Sequence, residues 1–410
     1  MATTQSLQPS QGRLLSLDAF RGFTIACMVL VNYPGTWEHV YGPLCHVEWN
    51  GLTPTDLIFP SFIFMVGVSI AFAYQKRLEA GNSRAQMRNK IIIRALKIYL
   101  VGMFLEVFGT VIHFFQHFSV SMHDPDKFVH LQHWLLYDIR YTGVLHRIAI
   151  VFLVCGLLFL YTKVRTQVWI CALFLIGYFV VVMMIPTPGQ GQVVFEPGNN
   201  IVSWVDSKLL PGKVWWSPDN PERDWNEWKS RNPNMQPWDP EGIISTFPAV
   251  SSALIGLFAG LLLLDKKRTQ ERKVMILFFA GALMLGSSYF ANLVFPINKS
   301  MWTSSYVLFA AGFACTVLAS SIYFMDILGF KRYAYIGIVF GGNAIAIYVL
   351  AALLDPLFYG EQGFNHIVMN SLTAMGTSAK FASMAFALIF VAVNFIPAWI
   401  LYKLKIYIRL

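Results

Sequence analysis

Long apolar runs separated by short polar segments make up most of the chain from residue 14 onward. Runs of about 17 to 25 apolar residues are long enough to cross a bilayer as helices. The pattern predicts an all-α polytopic membrane protein with about ten transmembrane helices. The predicted helices lie at about 14–33, 57–74, 91–112, 142–162, 167–185, 243–264, 274–295, 303–324, 334–354 and 382–402.

Composition agrees with this pattern, because 56% of the 410 residues are hydrophobic and only 13% are charged. Soluble proteins carry roughly twice that charged fraction. The polar segment 1–12 leads directly into the first apolar run without a small-residue cleavage pattern, so we expect that run to be retained as a helix. We interpret residues 1–410 as a single transmembrane domain.

The basic residues predict the orientation of the chain. More than half of the 31 Lys and Arg residues fall before the first helix, in the even-numbered linkers or after the last helix. Cytoplasmic linkers are enriched in Lys and Arg, so both termini are predicted to be cytoplasmic. The net charge of +9 is then a topology signal, and no nucleic-acid partner is expected; the lipid bilayer is the expected surrounding.

The orientation places the polar segment "CHVEWNGLTPTDLIFP", residues 45–60, on the outer side. The same side carries a long Trp-rich extracytoplasmic loop at 186–242, whose indoles suit either stacking on sugar rings or anchoring at the membrane interface. Cys45 is the one cysteine predicted in an outer loop, so no disulfide framework is expected there.

Several ionisable groups lie inside predicted spans, where they are costly. Asp18 and Arg21 are three residues apart on one helical face and are expected to pair. Asn32 ends the first helix. His146 and Arg147 open the fourth helix, where Arg147 either extends to the outer interface or holds an anion.

Other polar groups flank the later helices. Glu241 lies near the predicted start of the sixth helix, where the dipole favours it. Asn298 and Lys299 precede the eighth helix, and Asn343 lies within the ninth; capping or interhelical hydrogen bonding is the simpler interpretation of each. Asp56 has the same alternative as a cap of the second helix.

Two sequence features favour close packing or exclude a class of site. Gly256/Gly260 and Gly337/Gly341 have GxxxG spacing, which is typical of close helix contacts. His113 and His117 have the i,i+4 spacing of two metal ligands, but nothing fixes a third, so no metal is expected. The chain has no phosphate-binding glycine loop and no dinucleotide fingerprint.

Six segments together resemble the heparan-α-glucosaminide N-acetyltransferase family of transmembrane acyltransferases. The block beginning at His46 is the most specific and the Trp-rich loop the least. The segments are "LLSLDAFRGFTIACMVLVNYPG", "HVEWNGLTPTDLIFPSFIFMVGVSI", "GVLHRIAI", "DPEGIISTFPAV", "PINKSMWTSSYVL" and "GGNAIAIYV".

The resemblance implies transfer of an acetyl group from cytosolic acetyl-CoA to the amine of a glucosamine-type sugar on the outer side, as for heparan sulfate in the lysosomal enzyme. It implies that His46 is catalytic and that Asn32 lies at the reacting centre, with Asp56 orienting the imidazole or the amine. By analogy, the residues expected to bind acetyl-CoA are Asp18, Arg21, His146, Arg147 and Asn343. The residues expected to bind the amino-sugar acceptor are Glu241, Asn298, Lys299 and Trp302.

The mechanism and the class of function keep alternatives at this point. His46 acts either as a base in a ternary complex or as the carrier of the acetyl group. A Cys45 nucleophile is a further option, although neighbours in sequence seldom point at one another. The alternative function is an amino-sugar or N-acetylglucosamine transporter without acetyl transfer. A bacterial inner membrane is the expected location, and a homodimer is left open.

Overall fold

The protein is helical throughout the part of the chain that its computed structural model describes. The described residues are 14–118, 139–218, 225–231, 233, 235–359 and 363–408, without the side chains of 113–118, 225, 228, 231 and 333. Within them are the fourteen α-helices α1 (Leu15–Asn32), α2 (Ile58–Glu79), α3 (Arg84–Phe118), α4 (Val144–Tyr161), α5 (Val164–Met184), α6 (Ile201–Leu209), α7 (Trp225–Arg231), α8 (Thr246–Leu264), α9 (Gln270–Asn292), α10 (Ser304–Ser321), α11 (Tyr335–Gly342), α12 (Ala344–Phe358), α13 (Phe364–Ala374) and α14 (Ala379–Lys403).

The predicted class, an all-α polytopic membrane protein, is confirmed. Among the described residues, eight helices are long and apolar enough to cross a membrane, and the pair α11 and α12 makes a ninth if it counts as one span. The remaining predicted span, 91–112, falls within α3. Helices α5 and α9 are buried over only 22% and 17% of their most apolar windows, so they form the outer surface of the bundle.

The ninth predicted helix, 334–354, is wrong as a continuous element. The chain bends there by 81°, and Asn343 at the break has φ −132° and ψ 39°. Its side-chain amide donates to the carbonyl of Ile406 at 3.0 Å and accepts from the amide of Ile408 at 2.7 Å. The amide side chain thus binds the backbone of the C-terminal segment, and the preceding pair of glycines makes a helix easier to interrupt.

Glycines set the closest helix contacts, as the GxxxG spacing predicted. A Cβ atom on Gly256 of α8 would lie 2.0 Å from the carbonyl oxygen of Phe64 in α2, and one on Gly67 of α2 would lie 1.8 Å from that of Ala253. Helices α1 and α11 cross in the same way, since a Cβ on Gly341 would lie 2.0 Å from the carbonyl oxygen of Asp18. Small residues let the backbones of these helices touch.

Charged groups attach the long loop 186–242 to the segments that lead into α4 and α8. Arg140 donates to Asp239 at 2.7 and 2.5 Å and to Glu241 at 2.6 Å. Asp206 of α6 is 1% exposed and accepts from the amide of Ile243 at 2.9 Å. All five cysteines of the chain are free, so these polar contacts and the packing of side chains hold the loop in place.

The stacked pair Trp216 and Trp238 belongs to this packing. Their rings lie 5.7 Å apart and their planes differ by 12°, and Trp238 is only 4% exposed. These two indoles therefore cover one another and stiffen the loop. A sugar-stacking role for the remaining tryptophans of the loop stays a prediction.

We expect Gly256→Ala to destabilise the protein, because the new methyl group would meet the Phe64 carbonyl oxygen at 2.0 Å. Overpacking of this kind costs about 1–3 kcal/mol or more. Thermal unfolding in detergent measures the effect. Gly286→Ala in α9 is the matched control, since nothing lies within 4 Å of its added Cβ; equal unfolding temperatures for the two variants would contradict the close contact.

We expect the free energy of unfolding to fall as pH rises from about 4 to about 7, in part because of Asp206. Burial raises the pKa of Asp206 to about 7. The folded state then holds a proton that the unfolded state has already lost, so stability decreases across this window and levels off above it. Asp206→Asn should flatten the slope, and the exposed Glu38→Gln should leave it unchanged; an equally steep slope in both variants would exclude this role for Asp206.

Candidate functional site

His46 and Asp56 form a pair at the end of the bundle where α2 begins. His46 Nδ1 lies 2.7 Å from Asp56 Oδ1, and the carboxylate is fully buried while 46% of the His46 side chain is exposed. A carboxylate can only accept, so we assign the proton to Nδ1. This tautomer leaves Nε2 as a free base.

The segment 45–57 is wound around the Asp56 carboxylate. Its second oxygen accepts from the amides of Val47 at 3.1 Å and Thr53 at 2.9 Å, and from the Thr53 hydroxyl at 3.0 Å. Thr53 and Asp56 form a capping box at a short 3-10 turn, Pro54–Leu57, that leads into α2. Asp56 therefore caps the turn through Oδ2 and contacts His46 through Oδ1, so the two interpretations are compatible.

A second loop, between α9 and α10, brings Lys299 to the same pair. Lys299 Nζ lies 2.9 Å from His46 Nδ1, 3.3 Å from Nε2 and 3.4 Å from Asp56 Oδ1. Asn298 anchors this loop, since its side chain donates to Asn50 at 3.1 Å and accepts from the amide of Met301 at 2.8 Å. Asn298 is fully buried, so its contacts are with the protein itself.

The charges around His46 favour its neutral form. Burial lowers the pKa of the His46 imidazole and the Lys299 ammonium lowers it further, while the carboxylates of Asp56 and Glu241 oppose them. Because 46% of the side chain is exposed, water weakens the effect of burial on the pKa. The Lys299 ammonium acts at direct contact distance. Burial also lowers the pKa of Lys299, against the opposing charges of Asp56 and Glu241.

Trp302 and Arg147 pack together beneath the two loops. Trp302 is 1% exposed, has φ 54°, and donates from its indole to Ser252 at 3.1 Å. The Arg147 guanidinium lies 5.0 Å from the centre of the Trp302 ring and donates to the Gly242 carbonyl at 3.1 Å and the Ser245 hydroxyl at 2.5 Å. A direct contact of Trp302 with the acceptor stays a prediction.

The interpretation of Arg147 as extending to the interface is wrong, because the side chain is 1% exposed. Its Nη2 atom binds the turn before α8, which explains why the side chain points inward. Nε and Nη1 are buried without a hydrogen-bond partner among the described residues.

Glu241 does not cap α8 either. That helix begins at Thr246, and Glu241 instead pairs with Arg140 at 2.6 Å. The Glu241 side chain is 11% exposed, and its charge acts on both His46 and Lys299. Glu241 is thus a carboxylate near His46 whose position is fixed by an arginine.

Asn32 lies on a helix that contacts the turn carrying Asp56, whereas His146 lies at a separate helix interface. Asn32 ends α1, which contacts the turn 54–57 that carries Asp56. His146 lies between α3 and α4: its ring is 4.6 Å from that of Tyr99, and a Cβ on Gly102 would meet it at 2.9 Å. His146 therefore packs a helix interface, and its contact with a cofactor stays a prediction.

Three of the predicted cofactor-binding residues lie at the other end of α1. Arg21 donates to Asp18 at 2.8 Å, as predicted from their spacing, and to the Gly341 carbonyl through Nε and Nη2 at 3.1 and 2.8 Å. Asn343 is bound to the C-terminal segment next to Gly341. Arg21 is about 16 Å along the helix axis from Asn32, so the predicted residues divide into two groups.

Four residues of the site were not found by sequence reasoning. Tyr306 donates to the main-chain carbonyl of Asp56 at 2.6 Å, and Arg140 and Asp239 position Glu241. Of these four, Thr53 could have been found from the sequence, because Thr-x-x-Asp before an apolar run is a capping-box pattern. The side chains of His113 and His117 lie outside the described residues, among which no group of three or more His, Cys, Asp and Glu side chains is placed to hold a metal.

Comparison with known proteins points to one family. The family model described as "Heparan-alpha-glucosaminide N-acetyltransferase, catalytic" matches residues 13–201. Two curated proteins, both named heparan-alpha-glucosaminide N-acetyltransferase, are similar over most of the chain. The human protein is 27% identical over 84% of this chain and 54% of its own length, and the mouse protein 26% identical over 86% and 55%.

The chain spans about half the length of these curated relatives. The matched region includes α1, the segment 45–57 with His46 and Asp56, and Arg147. The resemblance carried by the sequence motifs is confirmed: residues 13–201 match the catalytic family model, and most of the chain is similar to two heparan-alpha-glucosaminide N-acetyltransferases.

Proposed function

We propose that the protein transfers an acetyl group from acetyl-CoA to the amine of a glucosamine-type sugar at the end of the bundle where His46 lies. The observation that carries the proposal is the pairing of His46 Nδ1 with the buried Asp56 carboxylate at 2.7 Å, with the ring still exposed. This is the arrangement of an oriented general base. The similarity to N-acetyltransferases supports acetyl transfer over other base-catalysed reactions.

The acceptor amine is substantially protonated near neutral pH and must lose a proton to attack a thioester. That proton goes to solvent; as the neutral amine nitrogen then bonds to the acetyl carbon, His46 Nε2 takes a second proton from it. The carbon–sulfur bond then breaks, and the imidazolium returns the proton to the departing CoA thiolate. Asn32 donates a hydrogen bond to the oxyanion in between, a contribution of about 3–4 kcal/mol when preorganised.

Binding of the acceptor is assigned to the charged groups beside His46. Glu241, held in place by Arg140, attracts the ammonium form of the amine before the proton is lost. Asn298 and Trp302 are buried and shape the wall behind Lys299. An aromatic wall with one charged anchor suits a sugar that carries one amine.

Acetyl-CoA is proposed to approach from the opposite end of the bundle. Arg21 lies there with 28% of its side chain exposed, and guanidinium groups suit phosphates. A small apolar hollow of about 10 Å³, lined by Ile25, Met28, Phe62 and Tyr348, lies between α1, α2, α4 and α12; these helices would have to separate for a pantetheine arm to pass. Positive-inside counting makes this end cytoplasmic and the His46 end external, in a bacterial inner membrane.

We expect His46→Ala to lower kcat for acetyl transfer by about 10²–10⁴-fold, because the general base is lost. Transfer of radiolabelled acetyl from acetyl-CoA to glucosamine by the purified full chain in nanodiscs measures it. His39→Ala is the matched control, since His39 is an exposed histidine in the same α1–α2 connection. Undiminished transfer by His46→Ala would exclude the catalytic role, and sugar uptake into liposomes without acetyl-CoA would favour the transporter.

We expect Glu241→Gln to raise the KM for glucosamine by about tenfold, equivalent to about 1.4 kcal/mol of binding, with a smaller change in kcat. The variant keeps Arg140 paired with Asp239, so the fold is retained. Initial rates at varied glucosamine and saturating acetyl-CoA give both constants. Glu48→Gln, an exposed residue two positions from His46, is the control; equal KM values in the two variants would remove Glu241 from the acceptor site.

A further inference from the structure

Lys299 is in direct contact with the His46 ring, which binding of the acceptor alone does not require. Its Nζ atom is 2.9 and 3.3 Å from the two ring nitrogens and 3.4 Å from Asp56 Oδ1. Its side chain is 17% exposed, against 46% for His46. The ammonium therefore faces the His46–Asp56 pair more than it faces solvent.

The position of Lys299 is fixed by the turn that carries it. The amide of Trp302 donates to the Lys299 carbonyl at 3.0 Å, and the amide of Thr303 donates to the Asn298 carbonyl at 3.1 Å. The amide of Gly51 donates to the Ile297 carbonyl at 2.7 Å, which ties this turn to the His46 segment. The lysine is thus held beside the imidazole by both loops.

We propose that Lys299 is a positioning residue that keeps the His46 imidazole uncharged by pairing with Asp56 at the edge of the ring. The contacts of Lys299 do not depend on the proposed function, but their effect on the reaction rests on it. A carboxylate alone beside a histidine stabilises the imidazolium. Here the lysine balances that carboxylate, so Asp56 orients the ring without holding a second proton on it.

Among the described residues, Glu241 from the turn before α8 is a further charged group that acts on His46. It opposes Lys299, but its carboxylate is already paired with Arg140 at 2.6 Å. Tyr306 from α10 contacts the backbone of Asp56 and carries no charge of its own. The balance at the ring is therefore between Asp56 and Lys299.

This arrangement has a consequence for the reaction. A histidine that stays neutral below pH 7 can still accept a proton from the attacking amine at mildly acidic pH. The neighbouring ammonium also makes the imidazolium short-lived, which favours return of the proton to the leaving thiolate. A lysine that served only as an acceptor contact would act on binding and leave the charge state of the ring unchanged.

Diethyl pyrocarbonate labelling of His46 tests the proposal directly, because this reagent modifies the uncharged imidazole. The rate of labelling of the His46 peptide is measured by mass spectrometry against pH in the full chain in nanodiscs. Lys299→Gln should move the midpoint of labelling upward by about one pH unit. Lys299→Arg, which keeps the charge, should stay close to the wild type, as should Lys208→Gln, an exposed lysine of α6.

The acetyl-transfer assay provides the second measurement. The acidic limb of the kcat/KM profile should move upward in Lys299→Gln in parallel with the labelling midpoint. A labelling midpoint that does not move, or a raised acceptor KM with an unchanged pH profile, would overturn the proposal. A shifted midpoint in a protein that transfers no acetyl group would uphold the role of Lys299 and overturn the proposed function instead.

Discussion

The site depends on one buried charge, the carboxylate of Asp56. A fully buried carboxylate is stable only when both oxygens have strong partners. One oxygen receives two backbone amides and the Thr53 hydroxyl, and the other receives His46 and Lys299. Satisfying this single group therefore fixes the course of segment 45–57, the direction of the imidazole and the approach of the second loop.

Two arginines near the site likewise bind several polar groups each. Arg140 fixes Glu241 and Asp239 together, and Arg147 joins the turn before α8 to the Trp302 ring. Arg140 joins two connecting segments, and Arg147 joins α4 to the turn before α8. The site is consequently assembled by ionic and hydrogen-bonded contacts among loops, above a core that is apolar.

The features that the sequence predicted correctly are those set by interactions between residues close together in the chain. Span length is a local property imposed by the bilayer, so the helices were found, and glycine spacing along one helix indicated the close crossings. The pairing of Asp18 with Arg21 was local as well. His46 and Asp56 are ten residues apart; the role predicted for His46 came from the family resemblance, and that of Asp56 from its chemistry beside a histidine.

The contacts that were missed join residues far apart in the chain. Lys299 meets His46 across 253 positions and Arg140 meets Asp239 across 99. No periodicity or spacing carries such information. The bend at Asn343 was missed for the same reason, because the helix there is interrupted by hydrogen bonds to residues 406 and 408.

The glycine crossings have a mechanical consequence. Helices α1 and α11 touch backbone to backbone, as do α2 and α8, so neither pair has room for a larger residue at its crossing. Asn32 ends a helix of the first pair, whereas Asp56 adjoins α2 and Ser252, the partner of Trp302, belongs to α8, both in the second pair. The distance from Asn32 to His46 therefore depends on how these two helix pairs pack against one another.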